Sequence, residues 1–333
     1  MAFVASFASM DIEYSLSIGS FTKFIPKIEI IPEEVNPTSL SFVGDVLLAR
    51  RVETYLDAYG STYVYSSLPE VSSSTVLVGN FESSIPATHT QTPDLTFSFS
   101  VDAIHIPALH EYGFKYMSVA NNHSADKGLE GLVHTQQVLE IKGIHPVGSP
   151  IQLSTTTIEY IELEGQSIAL IGVYAVNISP TNEEIQKVFE STSELSDIQI
   201  VYIHWGIEYQ PIHSSAQQKL AHIMIDAGAD AVIGHHPHVV QDIELYEGVP
   251  IFYSLGNFIF DQYFSKEVQE GLWIELTIKE EVMEYTLKGI TSIGSRSVPR
   301  FMSSYENDLF LRTLSKKSTN TLQEEILLGK ITQ

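Results

Sequence analysis

The sequence of 333 residues contains no cysteine. This absence excludes disulfide bonds, thiolate zinc sites, iron–sulfur clusters and cysteine nucleophiles together. It leaves the cellular compartment open, because there is no disulfide pattern to indicate one. A metal site in this chain must be built from oxygen and nitrogen ligands.

Basic residues are also scarce. Lysine and arginine number 18 against 41 aspartates and glutamates, which gives a formal net charge of −23 at pH 7. Such a negative field repels nucleic acids and anionic membrane surfaces, so neither is an expected partner. If the substrate is a phosphate or a polycarboxylate, a bound metal ion is the obvious source of positive charge.

Long apolar runs are absent as well. Gly, Asn, Asp or His interrupts each candidate before it reaches the roughly 18 apolar residues that a membrane-spanning helix needs. Residues 1–10 are mildly apolar, but no basic residue precedes them and Asp11 and Glu13 end the run, which is unlike a signal peptide. We expect no membrane span and a cytoplasmic or peripheral location, although a chain trimmed of an anchor would look the same.

The remaining composition, 44% hydrophobic and 18% charged, is that of a globular protein. From residue 40, short apolar runs alternate with longer helix-like stretches, which is typical of stacked βα units. The runs predicted as strands cover residues 40–48, 74–81, 115–120, 198–204 and 229–234. The stretches predicted as helices cover residues 49–59, 103–112, 129–142, 183–194 and 216–227.

The later part of the chain changes this rhythm. A hairpin with a turn at Gly165 is predicted for residues 157–163 and 167–173. Mainly antiparallel strands are predicted for residues 251–260, 272–278 and 282–290. We therefore predict an α/β (α+β) fold in which a mixed β-sheet sandwich is flanked by helices. Residues 1–38 are predicted as an N-terminal arm, residues 39–295 as the main domain and residues 296–333 as a C-terminal extension with helices within 303–330.

Polar residues follow the predicted strands one after another. Ligand crevices of α/β sheets lie beyond the carboxyl ends of strands, so residues distant in sequence converge there. Each cluster has a simpler alternative: Asp45 as a helix N-cap, Glu82 as a solvated loop residue, Asn121 and Asn122 as turn residues, and His204 as a core histidine. The clusters are Gly44-Asp45, Gly79-Asn80-Phe81-Glu82, Ala120-Asn121-Asn122-His123, His204-Trp205-Gly206 and Gly234-His235-His236-Pro237-His238.

The histidine cluster favours metal binding. Three of the 12 histidines lie within four residues, and a His-X-His pair presents two imidazoles to one ion. Carboxylates, an amide and imidazoles without sulfur suit Mn²⁺, Fe²⁺ or Zn²⁺. Because about seven ligands exceed one tetrahedral site, two ions some 3.5–4 Å apart and bridged by a carboxylate are the natural arrangement.

These motifs, in this order, resemble the CapA-like family of capsule, or poly-gamma-glutamate, biosynthesis proteins. That family is similar to the calcineurin-like metallophosphoesterases, and the resemblance covers roughly residues 40–290. The motifs that carry it are Phe42-Val43-Gly44-Asp45, Gly79-Asn80-Phe81-Glu82, Ala120-Asn121-Asn122-His123-Ser124-Ala125-Asp126-Lys127-Gly128, His204-Trp205-Gly206-Ile207-Glu208-Tyr209, Gly234-His235-His236-Pro237-His238-Val239 and Ser254-Leu255-Gly256-Asn257-Phe258.

The resemblance implies a role for each matching residue. Asp45 and His238 would bind the first ion, and Glu82, or alternatively Asn80, would bridge the two ions. The ligands of the second ion would be Asn122, His204 and His236.

The same resemblance implies which residue is the general acid and which residues surround the ligands. His123 would contact the scissile phosphate and protonate the leaving group, with Asp126 fixing its tautomer. The remaining polar residues would contact the substrate or support the ligands. These are Asn80, Asn121, Glu208, His235 and Asn257.

One departure from the superfamily pattern affects the first ion. Metallophosphoesterases carry Asp-X-His at the first strand, whereas Asp45 is followed by Val46 and Leu47. The first ion therefore loses one of the imidazole ligands of that pattern. Weak binding, a harder metal such as Mn²⁺ or Mg²⁺, and the absence of this ion all stay open.

Three functions follow from these observations. The first is a metal-dependent hydrolase of a phosphoester or a related electrophile, with one or two divalent ions. The second, implied by the resemblance, is work on an anionic polymer such as poly-gamma-glutamate. The third is a non-catalytic metal-stabilised scaffold or polymer-binding protein. The oligomeric state is not predicted.

Overall fold

The computed structural model describes residues 37–333, which belong to one compact unit. The predicted N-terminal arm and the apolar residues 1–10 fall outside the described residues, apart from positions 37 and 38. The strands are β1 Ser39–Val46, β2 Thr75–Phe81, β3 Phe114–Ser118, β4 His145–Val147, β5 Glu159–Leu163, β6 Gln166–Ala175, β7 Ile198–Trp205, β8 Ala231–His235, β9 Ile243–Tyr246, β10 Val249–Phe252, β11 Asn257–Ile259, β12 Glu270–Lys279, β13 Val282–Thr291, β14 Arg300–Phe301 and β15 Lys330–Thr332.

The helices lie mostly between strands, as the alternating pattern predicts. Thr181 and Ser214 begin α4 and α5 with reciprocal side-chain and backbone hydrogen bonds, in which the partners are Glu184 and Gln217. The helices are α1 Arg51–Tyr59, α2 Pro107–Tyr112, α3 Gly128–Ile141, α4 Asn182–Thr192, α5 Ser215–Asp226, α6 Ser304–Lys317 and α7 Gln323–Leu327.

The strands form two mixed sheets. In the first sheet the order is β14-β13-β12-β1-β2-β3-β4, with β11 beside β1 and β15 beside β13. The second sheet has the order β5-β6-β7-β8-β10-β9. Parallel pairing runs from β1 to β4 and from β6 through β8 to β10, while the other main pairs are antiparallel.

Apolar side chains hold the sheets and helices in four layers. Between the two sheets, Phe42 of β1 and Tyr202 of β7 belong to one buried cluster. The outer face of the first sheet packs on α1, α2 and α3, and the outer face of the second packs on α4 and α5. The predicted α/β fold, a mixed sandwich flanked by helices, is therefore confirmed.

The prediction of one strand over residues 251–260 is wrong. The segment holds two strands, of which β10 pairs with β8 in the second sheet and β11 pairs with β1 in the first. Between them, Leu255 donates its N–H to the Gly234 carbonyl at 2.9 Å, and the Gly256 carbonyl accepts from the Asp45 N–H at 3.1 Å. Gly256 has a φ of 69°, which lets the chain turn from one sheet to the other.

A second correction concerns the helix predicted over residues 103–112. The structure has a single 3₁₀ turn at Ala103–His105, followed by α2 from Pro107. Proline has no backbone N–H, so it cannot donate to the Ala103 carbonyl and a new helix begins there.

The C-terminal extension is not entirely helical. As predicted, it contains helices, α6 and α7, but β14 and β15 both pair with β13 of the first sheet. Leu311, Leu314 and Ile326 join the cluster between the sheets. The domain boundary at residue 295 stays a prediction.

Over residues 37–333, none of the helices combines the length and the apolar character that crossing a membrane requires.

Candidate metal centre

The polar residues predicted from the sequence meet where the parallel strands of both sheets end. Asp45 lies near the end of β1 and Asn80 near the end of β2, and Glu82 directly follows β2. From the second sheet, His204 lies near the end of β7 and His235 ends β8. The fold therefore brings side chains from both sheets to one place.

Two glycines let the segment that joins β10 to β11 run close against β1 and β8. A Cβ on Gly44 would lie 1.7 Å from the Gly256 carbonyl oxygen, and one on Gly234 would lie 2.2 Å from the Tyr253 carbonyl oxygen. Neither position has room for a side chain. Asp45 and His235 follow these glycines, and Asp45 Oδ1 lies 3.6 Å from His235 Nδ1.

Among residues 37–333, four overlapping groups of side chains could hold a metal ion, because the donor atoms within each group lie within 4.8 Å of one another. Glu82 and Asp45 each belong to two groups, so the groups form one continuous cluster. The four groups are Asp45 with His204 and His235, Glu82 with His204 and His236, Asp45 with Glu82 and His238, and Glu208 with His236 and His238.

Glu82 is the most unusual member. Its carboxylate is fully buried, yet neither oxygen accepts a hydrogen bond. Its Oε1 atom lies 3.8 Å from His204 Nε2 and 4.0 Å from His123 Nε2. Burial and the negative charge of Asp45 raise the pKa of Glu82 well above its usual range. A buried carboxylate without partners is costly unless a cation compensates it.

Three histidines are held in the neutral form that binds metals. Burial, reinforced by the neighbouring histidines, lowers the pKa of His236 to about 3 and that of His204 well below its usual range. Burial also lowers the pKa of His235 to about 4. His235 Nε2 and His236 Nδ1 are buried without a hydrogen-bond partner, so each retains an unused donor or acceptor.

Asp45 and His238 form a charged pair. Burial alone would raise the pKa of Asp45, but the hydrogen bond and charge of His238 outweigh it and lower this pKa. Burial alone would lower the pKa of His238, but Glu82 and Asp45 raise it to about 9. His238 Nδ1 lies 3.1 Å from Asp45 Oδ2 and 3.0 Å from Asn257 Oδ1. Asn257 thus contacts a candidate ligand directly.

His123 lies against this cluster with Asp126 behind it. His123 Nδ1 is 2.8 Å from Asp126 Oδ2, and the opposite nitrogen, Nε2, faces Glu82. Because the carboxylate accepts the Nδ1 proton, the Nε2 atom is left to exchange protons on the side of the cluster. This geometry suits a general acid.

The two asparagines of the loop after β3 differ in their contacts. Asn121 Oδ1 accepts from the N–H groups of His123 at 3.0 Å and Ser124 at 2.9 Å, so it shapes the turn. Its amide donates to Asn80 Oδ1 at 2.9 Å. Asn122 Oδ1, by contrast, lies 2.7 Å from His204 Nε2, within the cluster.

Asn80 and Glu208 approach different members of the cluster. The Asn80 amide donates to Asp45 Oδ1 at 2.9 Å, which occupies one side of that carboxylate. Glu208 is exposed, although a carboxylate oxygen of it lies within reach of His236 and His238. It is therefore the member most accessible to a substrate.

Sequence reasoning did not find the aromatic residues behind the histidines. Phe99 stacks on His123 with ring centroids 4.0 Å apart, and Phe260 lies 4.7 Å from His238. Arg50 lies against both phenylalanines. No local motif marks Phe99, because its partner His123 lies 24 positions away and no sequence period connects the two. Arg50 and Phe260 lie five and two residues after the motifs that end at Asp45 and Phe258.

A family model described as "Bacterial capsule synthesis protein PGA_cap" matches residues 39–262. The chain belongs to this family. It is similar to the PGA biosynthesis protein CapA of Bacillus subtilis (strain 168), with 30% identity over 92% of this chain and 84% of that protein. The capsule biosynthesis protein CapA of Bacillus anthracis is also 30% identical, over 70% of this chain and 62% of that protein. A probable polyglutamine synthesis accessory protein of Mycobacterium tuberculosis (strain CDC 1551 / Oshkosh) is 28% identical over 47% of this chain and 48% of that protein.

Proposed function

We propose that this chain is a divalent-metal-dependent hydrolase of phosphoester type that acts in the production or processing of an anionic capsule polymer. The observation that carries the proposal is the Glu82 carboxylate, which is buried without a hydrogen bond from any described residue, beside the neutral imidazoles of His204 and His236. A cation is the partner that such a group needs. The donor set, without sulfur, suits Mn²⁺, Fe²⁺, Zn²⁺ or Mg²⁺.

The overlapping groups support one ion or two. Asp45, Glu82 and His238 would hold the first, with His238 releasing its proton on binding, and Glu82 would be shared with the second. Asn122, His204 and His236 would complete the second. His235, whose Nδ1 lies 3.6 Å from Asp45 Oδ1, is a candidate for the imidazole that the sequence lacks after Asp45.

The chemistry is divided between the ion and the chain. A bound divalent ion supplies Lewis acidity and lowers the pKa of a coordinated water toward neutrality. His123 would donate a proton from Nε2 to the leaving-group oxygen, while Asp126 holds Nδ1 at 2.8 Å. Glu208, the exposed carboxylate of the cluster, would contact the substrate.

The family supports a capsule polymer as the biological target. Relatives carry names that refer to PGA and polyglutamine synthesis. A polyanion is an unfavourable partner for a chain of formal charge −23 unless metal ions bridge the two. We therefore propose that poly-gamma-glutamate binds in a metal-dependent way.

The direct test combines metal analysis with hydrolysis of bis-p-nitrophenyl phosphate before and after addition of Mn²⁺. Wild type is expected to bind one or two ions and to turn over the ester, and Glu82→Gln to lose both properties. Glu53→Gln is the matched control, because Glu53 is another buried carboxylate with an unpartnered oxygen but lies outside the metal-binding groups.

The results of this test distinguish the hydrolase from the non-catalytic scaffold. Metal uptake that raises the unfolding temperature without turnover on any phosphoester would favour the non-catalytic scaffold, an alternative that the deep burial of Asp45, Glu82 and His204 supports. Absence of bound metal in wild type, with Glu82→Gln unchanged, would contradict the proposal.

A further inference from the structure

Arg50 occupies a costly position next to the metal cluster. It precedes α1 with φ 56° and ψ −126°, a backbone conformation that side-chain-bearing residues rarely adopt. It has no capping role, because its side chain makes no hydrogen bond to the helix N-terminus. Glycine would adopt this conformation without strain.

The Arg50 side chain is also buried at a cost. It is only 10% exposed and pairs with Asp261, which is 5% exposed, and its NH1 group donates to the Thr96 carbonyl at 3.2 Å. Its Nε atom is buried without a hydrogen-bond partner. A strained backbone and an unpaired buried donor both reduce stability, so stability alone does not explain an arginine here.

The contacts of the guanidinium lead to two histidines of the site. Its central carbon lies 4.5 Å from the Phe99 ring centroid and 5.8 Å from that of Phe260. Phe99 stacks on His123 at 4.0 Å, and Phe260 lies 4.7 Å from His238. One cation therefore contacts both rings against which these imidazoles lie.

We propose that Arg50, neutralised by Asp261, is a positioning residue that holds Phe99 and Phe260 and through them fixes the imidazoles of His123 and His238. Attraction between the guanidinium and the ring faces sets the position of each ring. The effect on turnover rests on the proposed function, whereas the effect on imidazole positions does not.

The test uses two variants and a matched control. Arg50→Met combined with Asp261→Asn removes the ion pair without leaving an unpaired buried carboxylate. Arg50→Lys keeps the positive charge but replaces the planar guanidinium with an ammonium group. Arg51→Met is the control, because Arg51 is the neighbouring arginine and its ion pair with Asp94 is about half exposed.

The first measurement is the NMR spectrum of the histidine side chains in metal-free, ¹⁵N-histidine-labelled protein. In the double variant the imidazole signals of His123 and His238 should move, while that of exposed His145 stays in place. Arg50→Lys should give smaller movements and Arg51→Met none. Unchanged His123 and His238 signals in the double variant would overturn the proposal.

The second measurement is turnover of bis-p-nitrophenyl phosphate with Mn²⁺. The double variant should lose about 10- to 100-fold in kcat, because the imidazoles of both His123 and His238 are misplaced. Its unfolding temperature should stay near that of wild type. A fall in unfolding temperature that accounts for the lost turnover would overturn the proposal in favour of a structural role. If wild type has no turnover, the proposed function fails and the NMR measurement still decides the role of Arg50.

Discussion

At the scale of single residues, the site combines side chains that would be unfavourable separately. Glu82 is a buried carboxylate without hydrogen bonds, and His204 and His236 are buried imidazoles kept neutral. Together they form a group that could hold a metal ion. Removing one member should therefore affect metal binding, whereas removing the adjacent acid should affect turnover alone.

His123→Gln tests this separation. General acid catalysis contributes roughly 10²- to 10⁴-fold, so we expect a loss of that size in kcat with metal content retained. Asp126→Asn should cause a smaller loss, because an amide can still accept from Nδ1. The measurement is kcat alongside metal analysis, with His145→Gln as an exposed control. Equal turnover in wild type and His123→Gln would exclude the acid role.

Glu53, which lies outside the metal-binding groups, should make the free energy of unfolding depend on pH. Burial raises the pKa of Glu53 to about 7. Between the unfolded pKa and about 7, the folded state therefore keeps a proton that the unfolded state releases. The contribution of Glu53 to stability is complete below the unfolded pKa and is lost as pH rises through about 7.

Glu53→Gln should therefore be more stable than wild type at pH 8, by up to about 3 kcal/mol, and the difference should shrink toward pH 5. The measurement is chemical denaturation at both pH values. The Gln side-chain oxygen preserves the acceptor for the Asp102 N–H, which lies 2.9 Å from Glu53 Oε1. A gain in stability that is the same at both pH values would contradict the assigned pKa.

The candidate ligands could be found from sequence because each lies within four residues of the end of an apolar strand. The family resemblance predicts His235 as a supporting residue, although its Nδ1 atom lies 2.8 Å from His204 Nδ1 and 3.6 Å from Asp45 Oδ1. The strand ends predict which residues converge, but not the distances among them. Those distances depend on how closely the two sheets approach.

At the scale of elements, the approach of β1 to the segment after β10 sets the site. Gly44→Ala would place a methyl group 1.7 Å from the Gly256 carbonyl oxygen, where a backbone atom must move. We expect a loss of more than about 3 kcal/mol in the free energy of unfolding and weaker metal binding, because Asp45 is displaced.

Gly165→Ala is the comparison for this prediction. Gly165 lies in the β5–β6 turn with φ 83°, and a Cβ added there would meet open space. Alanine at this position should therefore cost only the strain of the left-handed backbone, about 1 kcal/mol. Denaturation curves and metal titrations of the two variants are compared. Similar losses in both would show that the close contact at Gly44 is unimportant.

The pattern of elements was largely predictable, and the exceptions have local causes. The alternation of apolar runs and helical stretches predicted β1 to β3, β7 and β8 in order. Residues 251–260 looked like one strand because both halves are apolar. Hydrogen bonds from Leu255 to Gly234 and from Asp45 to Gly256 divide it, and those partners are remote in sequence.

At the scale of the whole molecule, net charge governs the choice of partner. With 41 acidic and 18 basic residues, the chain should repel a polyanion. We expect fluorescently labelled poly-gamma-glutamate to bind in the presence of Mn²⁺ and to dissociate on addition of chelator, as followed by fluorescence polarisation. Glu82→Gln should not bind under either condition. Binding that persists with chelator would contradict a metal bridge.

The central claim is that side chains from the two sheets share a divalent cation. Anomalous diffraction from crystals of the protein grown with Mn²⁺, collected on both sides of the manganese absorption edge, tests it directly. The account predicts one or two peaks among Asp45, Glu82, Asn122, His204, His236 and His238. A fully ordered site without an anomalous peak, or peaks only elsewhere on the molecule, would contradict it.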